Sequence, residues 1–386
     1  PGMTVVAPNY DMLPGGKGAN QAAAAAKALS FTSSKTETRT ETIEGRTVTH
    51  TFTATTYEKG AFGVEVTFIG CVGQDALKDC ALRGLKKAGV CLKHVQKLPP
   101  ETARTACAAI LVDAQGENQI VVGGGANLHN SAKYLEDWLT EGADRGKGLL
   151  CVLQMEVPFE ENLRAIKLVK GWQTDERRDG FKNLILLNVA PACEVPPPVL
   201  LETDLLMLNE HEALAVGGKH PEAVGEWSEV ECAAQATAVS EALAQTYGCV
   251  VVVTLGRRGC ICYIPHQRIG FTADGQGNDG MTRLLVPALS LLNGAVDTVG
   301  AGDAFVGAFA ASVAQGMNAV DSLMNAVVAG SLTCMGRGAQ EPQPTRTEIE
   351  KERGKLTYEV DSTVDGADEY ICSQSLAALL SLNTDY

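Results

Sequence analysis

Apolar positions along this chain follow two periods. Short unbroken apolar runs recur at 149–154, 184–188, 205–208 and 250–254, with stretches of helical spacing between them. Apolar runs of strand length predict strands buried on both faces, and strands alternating with helices predict a parallel sheet covered on both sides. Helices are predicted over 21–29, an alanine-rich stretch, and over 76–88, 132–141, 304–315 and 322–334. Within 304–315, Phe305, Ala308, Phe309, Ser312 and Val313 recur at helical spacing. A strand is predicted at 66–71, two more pair across the turn 113–118 at 106–112 and 119–122, and a terminal helix covers 373–382. Two segments break the pattern. Residues 30–64 are rich in Thr, Ser, Glu and Lys with almost no apolar periodicity, which predicts a mobile surface insertion. Residues 274–280 predict a second irregular insertion.

The composition narrows the function. With 386 residues, 45% of them apolar, the chain has ample core for one large α/β domain or two smaller ones. A formal net charge of −14 argues against a nucleic-acid partner, whose phosphates demand a basic face. The longest apolar runs are strand-length, so no membrane span is expected. Twelve cysteines lie scattered with no C-x-x-C pair, which suits reduced thiols and a cytoplasmic location rather than a zinc or disulfide framework. The chain begins at Pro1 without a signal-peptide pattern, as a fragment or processed form would.

The densest chemistry lies in Val296-Asp297-Thr298-Val299-Gly300-Ala301-Gly302-Asp303-Ala304-Phe305. Glycines at 300 and 302 let backbone amides turn toward one point, and the helix that follows adds its positive end. Such a cradle suits the charge developing on a migrating phosphoryl group, and the Asp303 carboxylate beside it suits a general base. An isolated Gly-x-Gly-Asp would be an ordinary helix cap. A second glycine turn, Gly15-Gly16-Lys17-Gly18-Ala19-Asn20-Gln21-Ala22, opens the alanine helix. Neither string fits a P-loop or a dinucleotide fingerprint.

Together the two strings resemble the C-terminal and N-terminal signatures of the ribokinase-like carbohydrate kinases, in the family's order. Smaller matches fill the interval: Gly116–Ile120 then Gly125-Ala126-Asn127, Gln154–Pro158, Asn188–Ala192, Asn209-Glu210-His211-Glu212, Thr254–Gly259 and Gly338-Ala339-Gln340. The resemblance covers 1–346, leaving 347–386 as a C-terminal extension. It implies a three-layer α/β/α sandwich with a mostly parallel central sheet and a small β-sheet lid, drawn here from about 1–13 and 101–125. Residues 1–5 align inside the family's N-terminal region, so the resemblance also implies a first core strand, a lid strand and a sugar-gripping Asp upstream of them.

By that resemblance the activity is ATP-dependent phosphorylation of a sugar, ribose in first place. Asp303 would be the base, and Gly300, Ala301 and Gly302 the anion hole. Gly16, Lys17, Asn20 and Glu156 would bind the sugar. Asn209 and Glu212 would organise the phosphates and Mg²⁺. Thr254, Leu255, Gly256, Arg257, Arg258, Gly259, Gly302 and Asn325 would hold ATP. A monovalent cation, K⁺, would use Asp297, Val299, Thr333, Gly336 and Gly338, although the family's final ligand, a serine, falls near Pro342. A homodimer through the lid is a further implication. Fructokinase-like or adenosine-kinase-like specificity, and a catalytically dead sugar- or nucleotide-binding protein, stay open.

Overall fold

The computed structural model describes the backbone of residues 9–381, apart from 44–45, 60–62, 113–117, 142, 144–147, 173–182, 220–226, 270–279, 292–293 and 364–366. Its strands are β1 (Ser30–Ile43), β2 (Arg46–Lys59), β3 (Gly70–Gly73), β4 (Val95–Leu98), β5 (Cys107–Val112), β6 (Asn118–Gly123), β7 (Leu150–Leu153), β8 (Leu184–Asn188), β9 (Leu205–Asn209), β10 (Val250–Thr254), β11 (Cys260–Pro265), β12 (Met281–Val286) and β13 (Glu359–Ser362). The central sheet runs β13-β12-β11-β10-β9-β8-β7. It is parallel across β7–β10 and antiparallel across β11–β13, so the expected parallel sheet holds for the half built from the apolar runs. The change of direction follows from chain length. Only residues 255–259 join β10 to β11, too few for the crossover that a parallel return requires.

Side chains alternate across β8, β9 and β10, and each face carries its own core. Leu184, Leu186, Leu205, Met207, Val250 and Val252 pack beneath the helices Ala301–Ala314 and Ala319–Thr333. Ile185, Leu187, Leu206, Leu208, Val251 and Val253 pack beneath Phe159–Gly171 and Glu229–Tyr247. The result is the expected three-layer sandwich. It also explains why these strands read as continuous apolar runs: both faces are covered.

Two expectations change. The segment at 30–64 forms regular structure over most of its length: β1 and β2 pair as a long antiparallel hairpin from Ser30↔Lys59 to Ile43↔Arg46. Threonine is β-branched and favours extended backbone, while the scarcity of apolar residues in the segment leaves no alternation to read. The residues after 346 are also more than an appendage. The helix Arg346–Arg353 leads to β13, which pairs with β12 at the sheet edge, and Ile371, Leu376, Leu379 and Leu380 enter the core. The turn 113–117 and residues 274–279 lie outside the described residues, as does the 1–8 part of the expected lid; β5 and β6 form its other, hairpin part.

One helix contact positions the site. Lys17–Ala28 lies directly on Ala301–Ala314, where a Cβ added at Gly307 would stand 2.4 Å from the Gln21 carbonyl oxygen and 2.6 Å from Ala24 Cβ. Small residues on both sides let the two backbones touch, and this brings the start of the first helix to the start of the second.

Candidate active site

Strands β8, β9 and β10 end in Asn188, Asn209 and Thr254, and all three line a cleft of about 210 Å³ at the carboxyl edge of the parallel sheet. Open α/β sheets bind ligands at this edge. Lys17, Glu212, Gly300, Gly302 and Asp303 complete the polar wall. The turn before the helix Ala301–Ala314 needs glycine twice over at residue 300. Its φ is +79°, and an added Cβ would stand 2.6 Å from Ala339 Cα. At Gly302 a Cβ would meet nothing within 4 Å, so the opening turn of this helix presents bare backbone to the cleft. The Ala301 amide closes a turn on the Thr298 carbonyl at 3.3 Å; the later amides of the opening turn are the free donors of a helix start.

Asp303 stands in the first turn of this helix with both carboxylate oxygens engaged. Asn20 Nδ2 donates to Oδ2 at 2.7 Å and Gln21 Nε2 donates to Oδ1 at 3.0 Å. Burial pushes the Asp303 carboxyl above the usual aspartate range, against the Asn20 bond, the Lys17 charge and the Gln21 bond, which favour the ionised form. Gln21 is itself held: its Nε2 also donates to Asn188 Oδ1 at 2.9 Å, and its Oε1 accepts from Gln154 Nε2 at 2.7 Å. Asn20 Oδ1 accepts from Gln340 Nε2 at 2.9 Å. Glu156 accepts the Lys17 backbone N–H at 2.8 Å, pinning the turn at Gly16. Burial raises the Glu156 carboxyl, as does the Asp303 charge, while the bond from Lys17 and its ammonium lower it.

Asn209 and Glu212 form a reciprocal capping box. The Glu212 amide donates to Asn209 Oδ1 and the Asn209 amide to Glu212 Oε2, each at 2.8 Å. Burial, with Asp303 adding to it, pushes Glu212 up to about 7, the Asn209 amide and Lys17 opposing. A buried carboxylate on the cleft wall whose charge is this costly is a group that a divalent cation would relieve. Among the described residues no three His, Cys, Asp or Glu cluster as a protein cage.

The structure therefore brings Gly16, Lys17, Asn20, Glu156, Gly300, Ala301, Gly302, Asp303, Asn209, Glu212 and Thr254 to one region. It does not bring all the expected nucleotide residues. Leu255 is buried in the core, Arg257 pairs with Glu229 at 2.7 Å, and Arg258 pairs with Glu210 at 3.3 Å. Gly256 and Gly259 serve the turn, both at positive φ, and a Cβ on Gly259 would strike the Val286 carbonyl oxygen at 2.0 Å. Asn325 is buried with its Nδ2 on Ser312 Oγ, because its face of the helix Ala319–Thr333 packs on Ala301–Ala314 rather than facing the cleft. For the cation set, Asp297 gathers Val299 and Gly338, whose amides donate to its two oxygens at 3.0 Å each. Thr333 Oγ1 donates to the Ala329 carbonyl oxygen, the Thr333 carbonyl accepts the Gly336 amide at 3.4 Å, and Pro342 packs against Gly336. One carboxylate and a set of backbone carbonyls remain, a donor set that fits an alkali cation. Gln21, Asn188, Gln154 and Gln340 were missed as functional residues. Gln21 and Gln340 carry a readable signal, being polar side chains in or beside alanine-rich packing.

Comparison with known proteins identifies the family. The model of the pfkB family carbohydrate kinases matches residues 60–346, beginning just after the β1–β2 hairpin. The chain belongs to this family and is an ATP-dependent sugar kinase. Among individual relatives, it is similar to a ribokinase of Lactococcus lactis subsp. lactis, 29% identical across 92% of this chain and 90% of the relative. It is also similar to a deoxyribokinase of Salmonella typhi, 28% identical across 89% of each. Among solved structures, a ribokinase from Cryptococcus neoformans in complex with ADP superposes with a TM-score of 0.62, at 25% identity over 91% of this chain and 92% of that one.

Proposed function

We propose that this kinase phosphorylates D-ribose to ribose 5-phosphate, with Asp303 as general base. The observation carrying this reading is the Asp303 carboxylate, oriented by Asn20 and Gln21, in the wall of a cleft that the first turn of the same helix also lines. The acceptor hydroxyl gives its proton to Asp303 while its oxygen attacks the γ-phosphorus of ATP. The bond to the ADP oxygen breaks in line, and the amides opening the helix meet the charge on the phosphoryl oxygens. Lys17, Gly16, Asn20 and Glu156 orient the sugar. Asn209, Glu212, Thr254 and the Gly300–Gly302 turn take the nucleotide. Asn209 and Glu212 would hold Mg²⁺ and its waters, and the ion when bound neutralises phosphate charge. Asp297 with the carbonyls of Val299, Thr333, Gly336 and Gly338 would hold K⁺, which when bound adds positive charge beside the anion turn.

The likeness to ribokinases supports ribose, and that to a deoxyribokinase makes 2-deoxyribose the second reading. Twelve free thiols support a cytoplasmic setting, and the exposed β5–β6 hairpin supports a homodimer. Among the described residues no helix is long and apolar enough to cross a membrane. The test is ADP release with ribose, 2-deoxyribose, fructose or adenosine, with and without K⁺. Ribose-dependent turnover enhanced by K⁺ is expected, as is its loss in Asp303→Asn with ATP binding retained. Turnover on adenosine alone, or undiminished turnover in Asp303→Asn, would overturn the reading.

A further inference from the structure

Lys27 is a charged residue in a helix otherwise made of alanine beyond Gln21, and it is 7% exposed. Its ammonium donates to three backbone carbonyls of one loop: Gln340 at 2.6 Å, Gln343 at 3.1 Å and Glu341 at 3.2 Å. Three donors meet three acceptors. Keeping a charge there is costly: burial, with the Lys87 charge adding to it, pulls Lys27 down to about 8, while Glu341 and Glu348 act the other way.

The loop so held returns to the start of the same helix. Gln340 Nε2 donates to Asn20 Oδ1 at 2.9 Å, and Gln343 Nε2 donates to the Asn20 carbonyl, also at 2.9 Å. A Cβ added at Gly84, in the helix Lys78–Ala88, would strike Gln340 Oε1, so that helix walls the carboxamide in. A carboxamide has two ends of nearly equal size, one a donor and one an acceptor. With Gln340 donating to Asn20 Oδ1, only Asn20 Nδ2 is left to face Asp303, and it does so at 2.7 Å. Rotated by half a turn, Asn20 would set an oxygen against the carboxylate.

We propose that Lys27 is a positioning residue for the phosphoryl-transfer base: by clamping the 340–343 loop it holds Gln340, which holds the donor end of Asn20 on Asp303. The inference rests on the reading of Asp303 as base. It predicts an effect on turnover rather than on nucleotide binding, because the chain of bonds ends at the base.

The test uses the full chain with ATP and whichever of the four acceptors the wild type turns over. Lys27→Met is expected to lower kcat about 10- to 100-fold with KM for ATP changed less than about twofold, the scale of a small misplacement of a reacting group. Lys27→Arg should recover most of the loss, since a guanidinium also spans several carbonyls. Gln340→Leu should reproduce the loss, and the double variant should be no slower than the slower single, as expected for one pathway. Wild-type kcat in Lys27→Met, or losses that multiply in the double variant, would overturn the proposal. If Lys27→Met does not fold, Gln340→Leu decides: it leaves the Lys27–carbonyl bonds in place, and wild-type kcat there overturns the proposal. An inactive wild type would defeat the kinase reading itself, whereas an active wild type with unaffected variants would defeat this inference alone.

Discussion

Gly300 and Gly302 are two residues apart and stand in different surroundings. At 300 the backbone is left-handed and Ala339 leaves no room for a side chain; at 302 the surrounding space is open, and in the proposed reading the phosphoryl group would take it up. Gly302→Ala should therefore fold as the wild type does, with a melting temperature within about 2 °C, yet lose about 10-fold or more in kcat because a methyl stands where a phosphoryl group must approach the amides. Thermal melting and steady-state rates on one preparation check this; unchanged turnover would mean that the phosphate lies elsewhere. Residues of this kind were legible in the sequence because each local string carries its own geometry: a glycine pair, a carboxylate, then a helix start. Their supports were not. Gln21 finds Asn188 across 167 residues and Gln340 finds Asn20 across 320, separations at which no local pattern speaks. Lys27 was not singled out either: only its burial among alanines in the fold shows that it must have partners.

At the scale of elements, the strands covered on both faces were read to within a residue or so because their apolar runs report burial directly. The β1–β2 hairpin escaped because its threonine-rich strands show no apolar alternation in the sequence, although β-branched residues favour extended backbone. The string Asn209-Glu210-His211-Glu212 was read only as a family match; the capping box it forms at the end of β9 is seen in the structure, and the state of its acid depends on tertiary burial. Glu212 is pushed up to about 7 from an ordinary value of 4.5. The folded protein thus holds a proton that the unfolded chain has released, and stability falls as pH rises from about 4.5 to about 7, the ionised acid costing on the order of 3 kcal/mol above that window. Glu212→Gln keeps an acceptor for the Asn209 amide and removes the charge. It should match the wild type near pH 4.5, exceed it in stability at pH 8, and lose activity if Mg²⁺ needs the carboxylate. Melting curves at the two pH values test this, and an equal gap at both would refute the assignment.

On the scale of the whole molecule, the β5–β6 hairpin carries a close group of exposed apolar residues among those described. Leu111, Val121 and Val122 are each more than 60% exposed, and Ile110 and Ile120 about half exposed. The register sets Ile110 opposite Ile120 on one face, while Leu111 and Val121 share the other, so both faces of the ribbon are apolar. A lone two-stranded ribbon is marginal in water, and apolar area on both sides asks for two covers. The sugar cleft accounts for one in the lid reading, and a second copy of the hairpin is the self-complementary solution for the other. Its base is braced for such a load: Asp75 accepts the Thr105 amide at 2.6 Å and the Thr105 hydroxyl at 2.8 Å, and the Ala126 amide donates to the Arg104 carbonyl at 2.7 Å. The protein should therefore sediment at twice the 40.6 kDa chain mass, and Leu111→Asp with Val121→Asp, or Ile110→Asp with Ile120→Asp, should give monomers, according to which face meets the partner. Only the pair on the cleft side should raise KM for the sugar while leaving the dimer whole. Wild-type protein that sediments at the single-chain mass at tens of micromolar would leave the exposed ribbon as a lid alone.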